Sequence, residues 1–150
     1  MNLTRKTPWH LWVVGVLALL WNAGGANDYI QTQSGNRDYI GPAADSYGIS
    51  TDAVIAYYES WPIWAHSLWA IAIWGSVLGS VLLLFRKRFA YHSFGLSFLS
   101  MSGIFAYRAI NPLEGVEMGP VAIGMTAAIF IVAILLIIYA RRMTAKGVLT

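Results

Sequence analysis

The chain has 150 residues, of which 57% are hydrophobic and only 11% are charged. Soluble domains carry about 25% charged residues, so this composition excludes an ordinary soluble domain and a disordered chain alike. The sequence contains no cysteine, which excludes disulfides, thiolate nucleophiles and cysteine-ligated metals. The net charge of +3 does not indicate a nucleic-acid partner, because the cations are gathered in short clusters between apolar segments.

Four segments have the length and composition of membrane spans, which need about 20 largely apolar residues. They cover residues 9–26, 62–85, 89–110 and 119–139. The last is the most apolar, with an unbroken run from Ala127 to Ile138. The sequence therefore predicts an all-α integral membrane four-helix bundle, with a periplasmic loop at 27–61 and no separate soluble domain.

The charges indicate the orientation of these spans. On a four-span map every acid, together with Arg37 and Arg108, falls on one side. The other side holds the remaining cations, which are Arg5, Lys6, Arg86, Lys87, Arg88, Arg141, Arg142 and Lys146. Because Lys and Arg accumulate on the cytoplasmic side, both termini are predicted to be cytoplasmic. The basic clusters are then topology signals that lie beside lipid headgroups.

The N-terminal segment also fits a cleavable secretory signal, with a basic start, an apolar core and small residues through Ala26. Cleavage would leave three spans and place the new N-terminus outside. The bulky Trp12 and Trp21, and the polar Asn22 beside them, favour a retained first helix.

The loop at 27–61 is predicted to be polar and turn-like in its first half, where Pro42 should break any early helix. Thr51 is predicted to cap a short helix from Asp52 to Trp61, which leads through Pro62 into the second span.

Gly75 and Gly79 form a small-xxx-small pair on the second span, and such pairs let helix backbones approach closely. The pattern predicts a helix–helix contact within the bundle, with contact to another subunit as the alternative.

Five residues are predicted to form a polar rim at the periplasmic side. They are Asn22, Asp28, Glu59, His66 and Arg108. A guanidinium at the edge of hydrocarbon needs water or a partner, so Arg108 is expected to pair with Asp28 or Glu59, or else to reach water by snorkelling. The sharper hypothesis is a small polar pocket that opens to the periplasm.

Signatures of catalysis are absent from the sequence: it shows no nucleophile elbow, phosphate-binding loop or HExxH motif. His10 and His92 lie at similar depth near the cytoplasmic ends of their spans, where paired ligation of haem is geometrically allowed. A histidine at the membrane–water interface does not require a bound haem to account for it, and no cofactor or metal is predicted.

Two blocks of the chain resemble a known family. One runs from Trp9 to Tyr29 and includes Leu19-Leu20-Trp21-Asn22-Ala23-Gly24-Gly25-Ala26. The other runs from Tyr57 through Glu59-Ser60-Trp61-Pro62 to Gly75-Ser76-Val77-Leu78-Gly79-Ser80 and is followed by Arg86-Lys87-Arg88. They are similar to small inner-membrane proteins that are widespread in proteobacteria and have no established activity. Some members bear an automatic "sugar transporter" label, although four helices lack the repeated halves typical of secondary carriers. The resemblance implies a four-span protein of the bacterial inner membrane that keeps its first helix.

The resulting functional hypothesis is a small non-catalytic membrane protein that serves as an accessory or assembly subunit of a larger membrane complex. Its partners would be the bilayer and either another membrane protein or further copies of the chain. Two alternatives stay open: an oligomeric small-solute transporter, and a cofactor- or quinone-binding redox protein that uses aromatic residues with His10 or His92.

Overall fold

A computed structural model of the chain describes residues 7–150, which are helical with short links. Six helices occur in this part of the chain. They are α1 (Trp9–Gln33), α2 (Arg37–Ser46), α3 (Thr51–Glu59), α4 (Ile63–Leu84), α5 (Phe89–Ile110) and α6 (Pro120–Ala145). The all-α prediction is thus confirmed for these residues, and α5 has the bounds that the sequence predicts. Arg5 and Lys6, which the orientation argument uses, lie outside the described residues.

Within residues 7–150, three helices are long and apolar enough to cross a membrane: α1, α4 and α6. The sequence predicts four. The difference is α5, which is as long as α4 but carries a row of serines together with His92 and Arg108. These polar residues keep its hydropathy below that of its neighbours.

Helices α1 and α4 run antiparallel along most of their lengths. A Cβ placed on Gly15 would meet Leu84, and one placed on Gly25 would meet Ile73 at 3.7 Å. Further along, the rings of Tyr29 and Trp69 lie 4.9 Å apart. Later residues of α1 therefore contact earlier residues of α4, as they do in an antiparallel pair.

Helices α4 and α5 form the most extensive contact of the fold. The Ser93 hydroxyl donates to the Gly75 carbonyl at 2.7 Å, and the Ser97 hydroxyl donates to the Ala72 carbonyl. A Cβ on Gly79 would lie 2.7 Å from the ring of Phe94. Gly75 thus lies against the backbone of α5, Gly79 leaves room for the Phe94 ring, and two serines of α5 bond to carbonyls of α4.

The basic end of the bundle, which holds the α4–α5 link and the chain end after α6, contains the larger hydrophobic core. All four long helices contribute to it, with the buried residues Leu11, Ala18, Leu83, Ala90, Phe94, Leu136, Ala140 and Met143. Helix α6 ends in a Schellman motif with Gly147 at φ +67°, where the Val148 N–H donates to the Met143 carbonyl at 3.0 Å. Val148 and Leu149 then turn back into this core, and Thr150 exchanges backbone hydrogen bonds with Arg86 and Arg88.

The acidic end, formed by α2, α3 and the α5–α6 link, covers the opposite ends of α1, α4 and α5. The expectation that Pro42 prevents an early helix is wrong, because Pro42 lies inside α2. Proline removes one backbone donor, and the carbonyl that loses it, that of Asp38, belongs to an exposed residue. The cap of α3 is Ser50 rather than Thr51, since the Ser50 hydroxyl accepts from the Ala53 N–H at 3.1 Å.

Helix α6 separates from the other helices toward the acidic end. Its basic half packs into the core through Leu136, Ala140 and Met143. Its acidic half is largely exposed, with Val121 84% accessible. Apart from the adjacent backbone of α6 itself, nothing in residues 7–150 lies within 4 Å of a Cβ placed on Gly124.

Candidate functional site

A polar cavity of about 280 Å³ opens at the acidic end, where α1, α3 and α4 meet. Its walls are Thr32, Gln33, Ser34, Gly35, Ile55, Tyr58, Glu59 and His66. The cavity collects a carboxylate, an imidazole, a primary amide and two aliphatic hydroxyls around one aromatic ring. These groups suit a small polar ligand.

One wall exists because α1 extends beyond the predicted end of the first span. The predicted span ends at residue 26, whereas the helix continues to Gln33. It ends in a Schellman motif in which Gly35 takes φ +63° and the Asn36 N–H donates to the Gln31 carbonyl at 3.0 Å. Residues 27–34 are mostly polar but contain no helix breaker before Gly35, so the helix projects past the apolar segment.

The histidine of the cavity is held by this extension. Nε2 of Gln33 lies 3.0 Å from Nδ1 of His66. This contact engages Nδ1, so Nε2 is the ring nitrogen of His66 that remains for a ligand or for water.

An aromatic layer forms the floor beneath the cavity. Tyr58 stacks on Trp69 with ring centroids 5.2 Å apart, and Trp61 contacts both rings. Burial raises the pKa of Tyr58 above its usual 10.0, and the charge of Asp28 adds to this while Arg108 acts in the opposite direction. Trp61 is 5% exposed, and its indole N–H has no hydrogen-bond partner among the described residues.

The structure brings two of the five predicted rim residues together in this cavity, namely Glu59 and His66. Asp28 instead accepts a hydrogen bond from the Tyr39 hydroxyl at 3.0 Å. Both this bond and burial raise the pKa of Tyr39, with burial the larger cause.

The salt bridge predicted between Arg108 and Asp28 or Glu59 is wrong for the described part of the chain. The ion pair found there joins Arg37 to Asp52. The Arg108 guanidinium lies 5.8 Å from the centre of the Phe105 ring on its own helix. Arg108 is exposed, so its charge reaches water without an acid and the snorkelling alternative describes it better.

Asn22 is also absent from the acidic-end cavity. Because α1 is longer than predicted, Asn22 lies near its middle, and its amide donates to the Ser80 hydroxyl at 2.9 Å. A second, longer contact of 3.3 Å joins the same amide to the Ser76 carbonyl. The sequence predicts that the Asn22 amide needs polar partners, and these partners belong to α4 and not to the rim.

The two histidines considered for haem have separate surroundings. Nδ1 of His10 lies 2.6 Å from the Tyr139 hydroxyl. His92 packs against Phe89 and Tyr91 beside it in sequence. Residues 7–150 contain no group of three or more His, Asp or Glu side chains placed to hold a metal ion.

Sequence reasoning missed two features that shape the molecule. Gln33 was assigned to a loop, although Gly35 after an unbroken helical stretch is a helix-end signal. The docking of Val148 and Leu149 was also missed, although apolar residues directly after Gly147 are the hydrophobic partners that such a helix end uses.

No family model, curated protein or solved structure matches the chain.

Proposed function

We propose that the protein is a non-catalytic accessory or assembly subunit of a membrane complex, with four spans and both termini in the cytoplasm of a bacterium. Membership of the proteobacterial family that residues 9–100 resemble belongs to the same proposal and rests on the motifs at residues 9–29, 57–80 and 86–88. The segregation of charge between the two ends of the bundle supports this orientation.

The surroundings of α5 support its assignment as the fourth span. Ser97 and Ser100 are buried, and the Ser93 and Ser97 hydroxyls donate to carbonyls of α4. Polar side chains that face neighbouring helices do not meet lipid. The low hydropathy of α5 is therefore compatible with a helix between α4 and α6.

The polar groups within the bundle are engaged in helix packing, which supports a non-catalytic role. The Asn22 amide bonds to Ser80, and the Ser97 hydroxyl bonds to Ala72. The contact of α4 with α5 is closed around Gly75 and Gly79, which argues against a solute pathway between these two helices.

The main support for the accessory role is that the acidic half of α6 is largely exposed. Gly124 is exposed and has open space beside it, in contrast to Gly75 and Gly79. Lipid gives no hydrophobic drive for helix pairing, so close approach at small residues provides much of the contact energy. A membrane helix of a partner protein fits this part of α6.

The test is co-purification from native membranes with Gly124→Ile and the matched control Gly95→Ile. A Cβ on Gly95 likewise meets no atom within 4 Å, so neither change should disturb the bundle itself. We expect Gly124→Ile to lose a defined partner that the wild type and Gly95→Ile retain. Equal recovery from both variants, or a wild type that purifies without any partner, would refute the proposal.

The proposed topology has its own test, in reporter fusions at Thr150 and near Asp45. We expect cytoplasmic reporter activity at Thr150 and periplasmic activity near Asp45. The reverse pattern at either site would overturn the orientation. Intact-mass measurement of the purified chain tests retention of the first helix, and a chain that begins at Asn27 would contradict it.

The acidic-end cavity favours transport as the second candidate. Glu59 and His66 face a space of about 280 Å³, which would serve as an outer binding site if several copies together built a pathway. A self-oligomer that supports solute flux in vesicles would favour this function. The redox alternative predicts a visible absorption band in the purified protein.

A further inference from the structure

A second cavity lies between α1 and α6, on the basic half of the bundle. It has a volume of about 580 Å³, within the range of about 300–1,000 Å³ found for ligand sites. Its lining is Val14, Leu17, Ala18, Trp21, Val132, Leu135, Leu136, Ile138, Tyr139 and Arg142. Leu17 is 61% and Leu135 is 58% exposed, so the cavity is a groove that opens sideways, and we call it the α1–α6 groove.

The polar groups of this groove are concentrated at one end. Arg142 and the Tyr139 hydroxyl lie near the basic end, and the Tyr139 hydroxyl is held by His10 at 2.6 Å. The rest of the lining is apolar apart from the edge of Trp21. Among residues 7–150, no carboxylate lies within ion-pair distance of Arg142, so no acid of the described chain neutralises its charge.

The length of the groove corresponds to one leaflet of a bilayer. From Val132 to Arg142 the rise along α6 is about 15 Å, at about 1.5 Å per residue. The hydrocarbon core of a bilayer is about 30 Å thick, so one leaflet is about 15 Å deep. On α6 the deep end of the groove is Val132, near the middle of that helix; on α1 it is Trp21, the lining residue farthest from the basic end.

We propose that the α1–α6 groove binds an anionic phospholipid from the leaflet at the basic end, with an acyl chain along the groove and the phosphate at Arg142. This inference rests on the proposed membrane insertion and orientation. Basic sites between membrane helices at the cytoplasmic side are suited to anionic headgroups. A protein helix fits the groove less well, because Ala18 is its only small lining residue and helix pairs need small residues at close approach.

The experiment titrates the purified full chain in neutral detergent with phosphatidylglycerol or phosphatidylcholine and measures the lipid-bound fraction by native mass spectrometry. We expect phosphatidylglycerol to bind more tightly. Arg142→Gln should weaken its binding about fivefold, which corresponds to about 1 kcal/mol per cation near a membrane surface. Arg141→Gln is the matched control, because Arg141 is exposed beside Arg142 but does not line the groove.

A second variant tests the apolar part of the groove. Leu135→Trp fills the space and should lower the binding of both lipids, whereas Leu96→Trp, on an exposed face of α5, should not. Equal binding of the two lipids, equal effects of Arg141→Gln and Arg142→Gln, or no effect of Leu135→Trp would overturn the lipid site. A co-purified polypeptide lost in Leu135→Trp would assign the groove to a partner helix instead.

These outcomes are distinct from failure of the proposed function. The reporter fusions measure orientation, and the Gly124→Ile comparison measures partner binding at the other half of α6. Loss of lipid selectivity with the orientation and the partner intact would remove only the lipid site.

Discussion

The close approach of α4 and α5 gives a quantitative test of the packing, through alanine substitutions at three glycines. A Cβ on Gly79 would lie 2.7 Å from two ring carbons of Phe94, and one on Gly75 would lie 3.2 Å from the Cβ of Ser97. Optimal carbon–carbon separation is about 3.5–4.0 Å. The overlap is therefore about 1 Å at Gly79 and a few tenths of an ångström at Gly75.

Phe94 has little freedom to relieve the overlap at Gly79. The ring is 3% exposed and belongs to the basic-end core with Leu83 and Leu136. Inserting a methyl group into such a core costs about 1–3 kcal/mol. Glycine-to-alanine changes in a helix also gain up to about 1 kcal/mol from backbone propensity, and Gly95→Ala, which meets no neighbour, measures that gain separately.

We expect Gly79→Ala to be about 2 kcal/mol less stable than Gly95→Ala, with Gly75→Ala between them and closer to Gly95→Ala. The measurement is unfolding in mixed micelles by a denaturing detergent, followed by circular dichroism. Gly75→Ile and Gly79→Ile should extend the trend to loss of folded protein. Equal stability of Gly79→Ala and Gly95→Ala, or a larger loss at Gly75 than at Gly79, would refute the packing of α4 against α5.

Three further predictions address polar groups. Asn22→Leu removes the hydrogen bond to Ser80, so thermal unfolding should show a loss of about 0.6 kcal/mol and at most about 1.7; an unchanged midpoint would contradict the contact. Burial raises the pKa of Tyr58 above 10.0, so the folded state holds the Tyr58 proton more tightly than the unfolded state does. The contribution of this proton to stability is complete below pH 10 and is lost at more alkaline pH. Tyr58→Phe should reduce the alkaline loss of stability, and identical pH profiles would argue against it. A double-mutant cycle of Arg108→Gln with Asp28→Asn should be additive within about 0.5 kcal/mol, and larger coupling would restore the predicted salt bridge.

The secondary structure was largely predictable from the sequence because its signals are local. The bounds of α5 agree with the prediction, since the basic run before Phe89 and Asn111-Pro112 after Ile110 limit the apolar segment from both sides. The local prediction failed at α2 because it gave a single residue, Pro42, too much weight. Pro42 removes one hydrogen bond from a short exposed helix and does not abolish it.

The candidate site was predictable only in part. The sequence grouped Glu59 with His66 because both are predicted at the outer end of the second span, and the structure places them in one cavity. It also grouped Asn22 and Arg108 there on the basis of depth, which says how far a residue lies along a span but not which neighbour it faces. Partner identity depends on helix rotation and register, and Asn22 faces Ser80 because the register of α1 against α4 places the two residues side by side.

By itself the sequence determined that the chain is helical, apolar and divided into a basic and an acidic end, because composition and periodicity act on each segment separately. The tertiary structure decided which helices touch. It closed α4 onto α5 through Gly79 and Phe94, left the acidic half of α6 bare around Gly124, and opened the α1–α6 groove beside Arg142. These features depend on how side chains from distant segments fill shared space, which the pattern along one segment does not contain.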